Sequence, residues 1–312
     1  MDTDVLVIGE ALIDIVEGPD GAFELVGGSP ANVAVGVARQ RHRAWLLTRV
    51  GRDERGYRIA DELAASLVRI VPESWTDSPT STARARLRAD GSAEYEFAID
   101  WVTPVVGFAG AEGPTGAEGS IEVARVRAVH AGSIALFLEP GASAVLESLR
   151  AAAGTALVSV DPNIRPALVG DHDVALARFA DAAASADLVK LSDEDAAWLY
   201  PDLTAEQVLE RIAGYGPRLV VMTRGADGAI GLGPGGLVEV EPHVVDVADT
   251  IGAGDAYMAS LISSALDDDA VFSDADAFAA ALRRAAVMAR ITVSRVGANP
   301  PTRAELAALA GL

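Results

Sequence analysis

The chain has 312 residues, and 45 Asp and Glu against 25 Lys and Arg give a formal net charge of -20. Half of the residues are hydrophobic, enough to bury a large core, while the acidic balance repels phosphate backbones and argues against nucleic acid as a partner. The absence of cysteine excludes a disulfide framework, Cys-ligated zinc, iron–sulfur clusters and a thiol nucleophile.

Lys190 is the single lysine, and it follows Val189 rather than glycine, so no Gly-Lys-Ser/Thr phosphate loop can form. Asp2 and Asp4 stand where a signal peptide would be positive. No charge-free apolar run reaches the roughly 18 residues of a membrane span. The expectation is a cytoplasmic protein with no membrane partner.

In chain order, Asp4-Val-Leu-Val-Ile-Gly9 is an almost continuous apolar run that ends in glycine, the pattern of a buried parallel strand. Similar runs occupy residues 44–50, 126–131, 156–160, 188–191 and 219–223. Amphipathic stretches between them, at 30–40, 53–67, 141–153 and 205–213, read as helices. Alternation of this kind predicts an α/β fold with a central, mostly parallel sheet and helices on both faces. From about residue 250 the chain turns helical, over 253–266, 274–294 and 302–309.

Two segments break the rhythm. Residues 12–26 carry Gly18-Pro19-Asp20-Gly21, a turn between two short runs. Residues 81–99 alternate on either side of Asp90-Gly91, a hairpin signal. Ala83, Ala85, Leu87, Ala93, Tyr95 and Phe97 then share one apolar side, with Arg84, Arg86 and Arg88 on the other. These segments predict a small antiparallel sheet projecting from the α/β body. The Gly- and Ala-rich stretch 107–119 reads as a mobile loop. The whole chain, 1–312, is expected to form one domain with lid segments at 12–26 and 81–101.

Asp249-Thr-Ile-Gly-Ala-Gly-Asp255 leads into an apolar helical stretch. Gly252 and Gly254 allow a tight turn that leaves the N–H groups of Ala253, Gly254 and Asp255 pointing out of the helix start, an anion hole suited to a phosphoryl group. Asp255 beside it is suited to take a proton from an attacking hydroxyl; the plainer reading is a helix cap. Gly27-Gly-Ser-Pro-Ala-Asn32 is a second loop-to-helix junction, in which Ser29 is expected to cap the helix and Pro30 to fit its first turn. Asn32 is poorly placed by helix propensity and free to meet sugar hydroxyls. Gly231-Leu-Gly233-Pro-Gly-Gly236 fits a dinucleotide fingerprint, but a strand rather than a helix follows, which makes it a hairpin loop. His42, His130, His172 and His243 show no metal-ligand spacing.

Taken together, Gly27-Gly28…Asn32 and Asp249-Thr250…Gly252-Ala253-Gly254-Asp255 resemble the two signatures of the PfkB (ribokinase-like) family of sugar kinases, with similarity running from Val5 through Glu10 and Asp14 to about Pro300. The resemblance implies the three-layer ribokinase-like fold, ATP as phosphoryl donor, magnesium on its phosphates and Asp255 as the base. Backbone of Gly252, Ala253 and Gly254 would hold the transferring group. Asp14, Gly28 and Asn32 match sugar-contacting positions. Thr223-Arg224-Gly225…Gly228 resembles the family's stretch beside the nucleotide, and it also reads as a strand-to-hairpin turn. Ser192-Asp-Glu194-Asp195 stands where many relatives carry Asn-x-x-Glu for the magnesium–phosphate network, with Asp195 and Glu194 competing for the role. Lys190 just before either reaches phosphate or is a strand-end surface residue. Asp161-Pro-Asn163-Ile-Arg165-Pro166 is similar to a stretch of fructokinases and 2-keto-3-deoxygluconate kinases, where Arg165 would meet a sugar oxygen or carboxylate.

Three further implications follow from the resemblance: a monovalent cation, potassium, bound by Asp249, Ile251 and the region of Gly297; a homodimer formed through the lid; and fructose as substrate. A 2-keto-3-deoxygluconate kinase or another PfkB sugar or nucleoside kinase is the alternative, and a non-catalytic sugar-binding relative is a remote one.

Overall fold

The computed structural model describes residues 4–18, 21–87, 93–108, 121–123, 126–241 and 246–310. The strands run β1 (Val5–Ile8), β2 (Leu12–Gly18), β3 (Gly21–Gly27), β4 (Ala44–Leu47), β5 (Val50–Gly51), β6 (Arg69–Ile70), β7 (Trp75–Thr76), β8 (Thr82–Leu87) and β9 (Ala93–Ala98). They continue with β10 (Val106–Phe108), β11 (Ile121–Val123), β12 (Ala128–Gly132), β13 (Leu157–Asp161), β14 (Leu188–Ser192), β15 (Leu219–Thr223), β16 (Ala229–Gly233) and β17 (Gly236–Val240). The helices are α1 (Ser29–Arg39), α2 (Glu54–Ala65), α3 (Gly141–Ala152), α4 (Pro166–Val169), α5 (His172–Ala183), α6 (Asp193–Leu199), α7 (Ala205–Ala213), α8 (Ala253–Asp267), α9 (Ala275–Val293) and α10 (Arg303–Ala310).

Every residue of β1 is buried, with Val5 and Val7 packed on one side and Leu6 and Ile8 on the other. A strand with apolar groups on both faces must lie inside a sheet covered twice. It sits within nine strands ordered β17-β16-β15-β14-β13-β12-β1-β4-β6. Pairing is parallel from β6 across to β15, and the β15-β16-β17 edge is antiparallel. One face is covered by α3, α5, α6 and α7 through residues such as Leu149, Phe179, Leu199 and Leu209. The other is covered by α1, α2, α8 and α9 through Val33, Ile59, Met258 and Phe278. The three-layer α/β fold follows the alternation in the sequence. Gly231–Gly236 closes the β16–β17 hairpin, with Gly233 paired to Gly236, so no dinucleotide turn exists there.

Strand order reverses between β1 and β12, because the chain fills one side of β1 first and the other side afterwards. Such a switch point opens a crevice at the carboxyl ends of the strands. The residues at that edge are Glu10, Ser133, Asp161, Ser192 and Thr223.

The projecting sheet has the order β3-β2-β8-β9. Two antiparallel hairpins lie side by side, but the central β2–β8 pair is parallel, which departs from the all-antiparallel expectation. β2 and β8 both leave the body in the same direction, so their contact has to be parallel. Ile13 and Ile15 are buried, and the same face carries Glu24, which pairs with Arg55 and Arg58 of α2, and Arg84, which pairs with Glu17. The register places Asp14, Val16, Phe23, Leu25, Ala83, Ala85 and Phe97 on the opposite face. On it Phe23 is 54% and Leu25 42% exposed. The turn at Asp90-Gly91, Arg88 and most of the 107–119 stretch lie outside the described residues.

Candidate active site

The site is assembled by two helices whose small residues let them touch. On α1, Ser29, Asn32 and Gly36 fall at helical spacing on one side; on α8, Asp255 and Ala259 do the same. A Cβ on Gly36 would come within 2.5 Å of the Ala259 Cβ, so the glycine lets the helices approach closely. That approach brings Asp255 within reach of α1. Its Oδ1 accepts a hydrogen bond from Ser29 Oγ at 2.6 Å, and its Oδ2 accepts one from Asn32 Nδ2 at 2.8 Å. Ser29 therefore does not cap α1 as expected: the helix begins at Ser29 itself, Gly28 takes the cap position, and the hydroxyl is turned to the carboxylate.

Gly252 enters α8 with φ 76, and a Cβ there would fall 2.6 Å from the Ala298 Cβ, so both conformation and space require glycine. The N–H of Ala253 is turned to the Thr250 carbonyl at 3.3 Å, which removes it from the expected anion hole. Gly254 and Asp255 remain at the head of the helix, where N–H groups have no carbonyl one turn back. Burial raises the proton affinity of Asp255 above the ordinary carboxylate range, while Ser29, Asn32, Lys190 and Arg165 pull it back. A buried carboxylate with a raised pKa beside a helix head is suited to accept a proton from a hydroxyl.

Beneath the turn, Lys190 is 4% exposed, which excludes the surface reading. Its Nζ lies 2.9 Å from Asp161 Oδ2 and donates to the Gly254 carbonyl at 3.4 Å. Burial pushes Asp161 up to about 6, against the pull of Lys190. For Lys190, burial disfavours the charge, but Asp161, Asp195 and Asp255 more than reverse it, and its pKa is raised.

Asp195 is buried, with Oδ2 accepting from the Ser192 N–H at 2.9 Å and Oδ1 from the Ile164 N–H at 2.6 Å. It closes a capping box with Ser192 and pins the Asp-Pro-Asn loop to the start of α6. Glu194, one residue earlier, is exposed.

On the side of the β2–β3 hairpin, a Cβ on Gly27 would fall 1.9 Å from Asp14 Oδ2, so Gly27 is what makes room for that carboxylate. Gly28 has φ 112 and packs against the Glu10 carbonyl. Burial raises the pKa of Asp14, and Arg165 opposes it. Arg165 is exposed, and its guanidinium donates to Asn163 Oδ1 at 2.8 Å while its field reaches Glu10, Asp14 and Asp255. Glu10 carried no role in the sequence reading, yet it is buried just past the end of β1, and its Oε2 has no partner among the described residues. Burial pushes it up to about 8, with Ser133 and Arg165 opposing. An acid inside the apolar run Gly9-Glu-Ala-Leu12 was the signal for it.

On the remaining edge, Thr223 ends β15, and its Oγ1 donates to the Leu191 carbonyl at 3.4 Å. Gly225 and Gly228 have φ 51 and 83, and the Arg224 N–H donates to the Gly228 carbonyl at 2.8 Å. The hairpin turn is thus present. Arg224 pairs with Glu239 at 3.6 Å, and its buried Nε has no partner among the described residues. Asp249 accepts from the N–H groups of Ile251 at 3.0 Å and Gly297 at 2.9 Å, tying two loops behind the helix head. No group of three or more His, Asp or Glu side chains suited to a metal ion occurs among the described residues.

A helix head beside a buried carboxylate, at the switch point of a parallel sheet, is an arrangement suited to moving a phosphoryl group onto a hydroxyl. The model of the pfkB family carbohydrate kinases matches residues 2–305. A fructokinase of Salmonella typhimurium is 34% identical over 272 residues, 85% of each chain. A fructokinase of Rhizobium leguminosarum bv. trifolii is 32% identical over 265 residues, covering 83% of this chain and 79% of its own. A fructokinase of Vibrio cholerae O395, solved with fructose, ADP and calcium ion bound, superposes with a TM-score of 0.80 at 26% identity over 98% of both chains. A double mutant of that enzyme, solved with fructose, ADP and potassium ion, gives a TM-score of 0.80 at 25% identity, over 98% of this chain and 97% of its own. The chain belongs to the pfkB family of carbohydrate kinases. It is a sugar kinase.

Proposed function

We propose that the enzyme is a fructokinase that transfers the γ-phosphoryl group of ATP to a hydroxyl of fructose. The observation that carries this is the Asp255 carboxylate, buried at the head of α8 and held by Ser29 and Asn32. Asp255 takes the proton of the sugar hydroxyl as that oxygen forms its bond to the γ-phosphorus. The bond from phosphorus to the bridging oxygen breaks, and ADP leaves. The N–H groups of Gly254 and Asp255 face the charge that builds on the phosphoryl oxygens, with Gly252 shaping the turn. Magnesium, when bound, would neutralise the nucleotide phosphates. Of the two acids proposed for its network, Glu194 is the exposed one, while both oxygens of Asp195 hold backbone amides.

Asp14, Gly28, Asn32 and Arg165 are assigned to the sugar, and Ser192, Thr223, Arg224, Gly225 and Gly228 to the nucleotide. The buried, unpartnered Nε of Arg224 supports an anion at that edge. Arg165 is the cation whose field reaches three acids, Glu10, Asp14 and Asp255, and this excess of acids favours a neutral polyol over a 2-keto-3-deoxy acid. The intact base and glycine turn weigh against a non-catalytic relative. Potassium would sit against the loops that Asp249 ties together, close to Ile251 and Gly297, and would firm the turn at Gly252.

The chain is assigned as one catalytic unit, 1–312, with the β3-β2-β8-β9 sheet as lid. Its open apolar face supports a homodimer built lid to lid. No helix among the described residues is long and apolar enough to cross a membrane, and cytoplasmic location is part of the proposal. A coupled ADP-release assay over fructose, ribose, adenosine and 2-keto-3-deoxygluconate tests the reading, with and without potassium. The highest kcat/KM is expected for fructose; a maximum for the keto acid would assign Arg165 to its carboxylate instead.

A further inference from the structure

Lys190 is the single lysine of the chain, and a buried unpaired ammonium is costly. Its Nζ is held from two sides, by Asp161 Oδ2 at 2.9 Å and by the Gly254 carbonyl at 3.4 Å. Apart from that ion pair, neither oxygen of Asp161 has a hydrogen-bond partner among the described residues. Carbonyls in a helix point away from its N-terminal head. The ammonium therefore meets the opening turn of α8 from its inner side, away from the N–H groups that would face phosphate. Space is also committed: a Cβ on Gly254 would come within 3.0 Å of Nζ.

We propose that Lys190 is a positioning residue: paired with Asp161, it braces the opening turn of α8 from beneath and supplies the positive charge against which Asp255 works. The inference rests on Asp255 being the base.

The groups that face Asp255 are Ser29 and Asn32 from α1, Lys190 from β14, Asp161 from the end of β13, Arg165 from the loop after β13 and Glu10 from the end of β1. Those that face Lys190 are Asp161, Asp195, Asp255 and His130. Burial pushes His130 down to about 3, so it adds no charge. Arg165 is exposed and screened, which leaves Lys190 as the buried cation of the set.

Substitutions on the two sides of the pair act with opposite sign. Lys190→Gln keeps a donor for the Gly254 carbonyl but removes the charge, so Asp255 holds its proton more tightly. The acid limb of the kcat profile moves to higher pH; kcat falls about tenfold near pH 6 and returns to within about threefold near pH 9. Asp161→Asn removes the nearest counter-charge of Lys190 and a negative charge that faces Asp255, and the limb moves to lower pH. Lys190→Arg, which keeps the charge, holds the limb at its wild-type position. Lys190→Gln also strands Asp161 without a cation, which is destabilising. If circular dichroism shows that variant unfolded, Asp161→Asn alone decides by the sign of its shift. Limbs that do not move, or that move the same way, overturn the proposal. So does a rise in the KM for ATP with the limb unmoved, which would return Lys190 to the nucleotide. Wild-type turnover in Asp255→Asn would instead overturn the base itself, so the two failures are told apart.

Discussion

Ser29 and Asp255 stand 226 positions apart in the chain, and a hydrogen bond of 2.6 Å joins them. That bond and its neighbour from Asn32 fix the carboxylate at the mouth of α8, and they also offset part of the cost of burying it.

Ser29→Ala removes one of the two donors. A lost hydrogen bond to a charged group costs about 1.5–3 kcal/mol. Asp255 then holds its proton more tightly, so kcat should fall about tenfold near neutral pH and recover on the alkaline side. A pH–rate profile beside a thermal melt checks this; an unchanged profile would place the reacting hydroxyl away from Asp255.

Gly252→Ala puts a side chain at φ 76 and against the Ala298 Cβ. The left-handed backbone alone costs about 1–2 kcal/mol. A lower Tm and a drop in kcat larger than the rise in fructose KM are expected if the turn shapes the phosphoryl site as proposed. Calorimetry and initial-rate kinetics on the same preparation measure both.

Phe23→Asp alters an exposed position on the open face of the β3-β2-β8-β9 sheet proposed as the lid, so the fold should survive. Light scattering at micromolar concentration is expected to show a dimer for wild type and a monomer for the variant, with a raised fructose KM. A wild-type monomer would contradict the proposed lid-to-lid dimer.

Glu10 gives the protein a built-in pH dependence. Its pKa is raised by burial to about 8, against an ordinary 4.5. Between those values the folded state binds more protons than the unfolded chain, so the stability is present below about pH 4.5 and is lost as pH rises through about 8. Glu10→Gln carries no such titration. Urea denaturation at several pH values should show wild type losing stability towards alkaline pH more steeply than the variant; parallel slopes would refute the assignment.

Much of the body was legible because its signals are local. Short apolar runs gave β1, β4, β12, β13, β14 and β15 of the sheet. Glycine before an apolar stretch gave the head of α8, and the expected helix 274–294 differs by one residue at each end from α9 (Ala275–Val293). α5 was not expected, although Asp171 accepts from the N–H groups of Asp173 and Val174 as a cap should. What stayed hidden was long-range. The turn of Ser29 towards Asp255, the parallel contact of β2 with β8 and the burial of Lys190 against Asp161 each depend on elements that meet only in the folded chain. Glu10 was visible as an acid in an apolar run, but its burial and its contact with Ser133 exist only in the folded chain.

The central claim is that Asp255 deprotonates the sugar, and Asp255→Asn tests it most directly. Asn has nearly the same shape but cannot take the proton. With saturating fructose and ATP, kcat should fall by about 10²–10⁴ while Tm and fructose binding stay near wild type. Turnover close to the wild-type rate in the purified, folded variant would contradict the assignment.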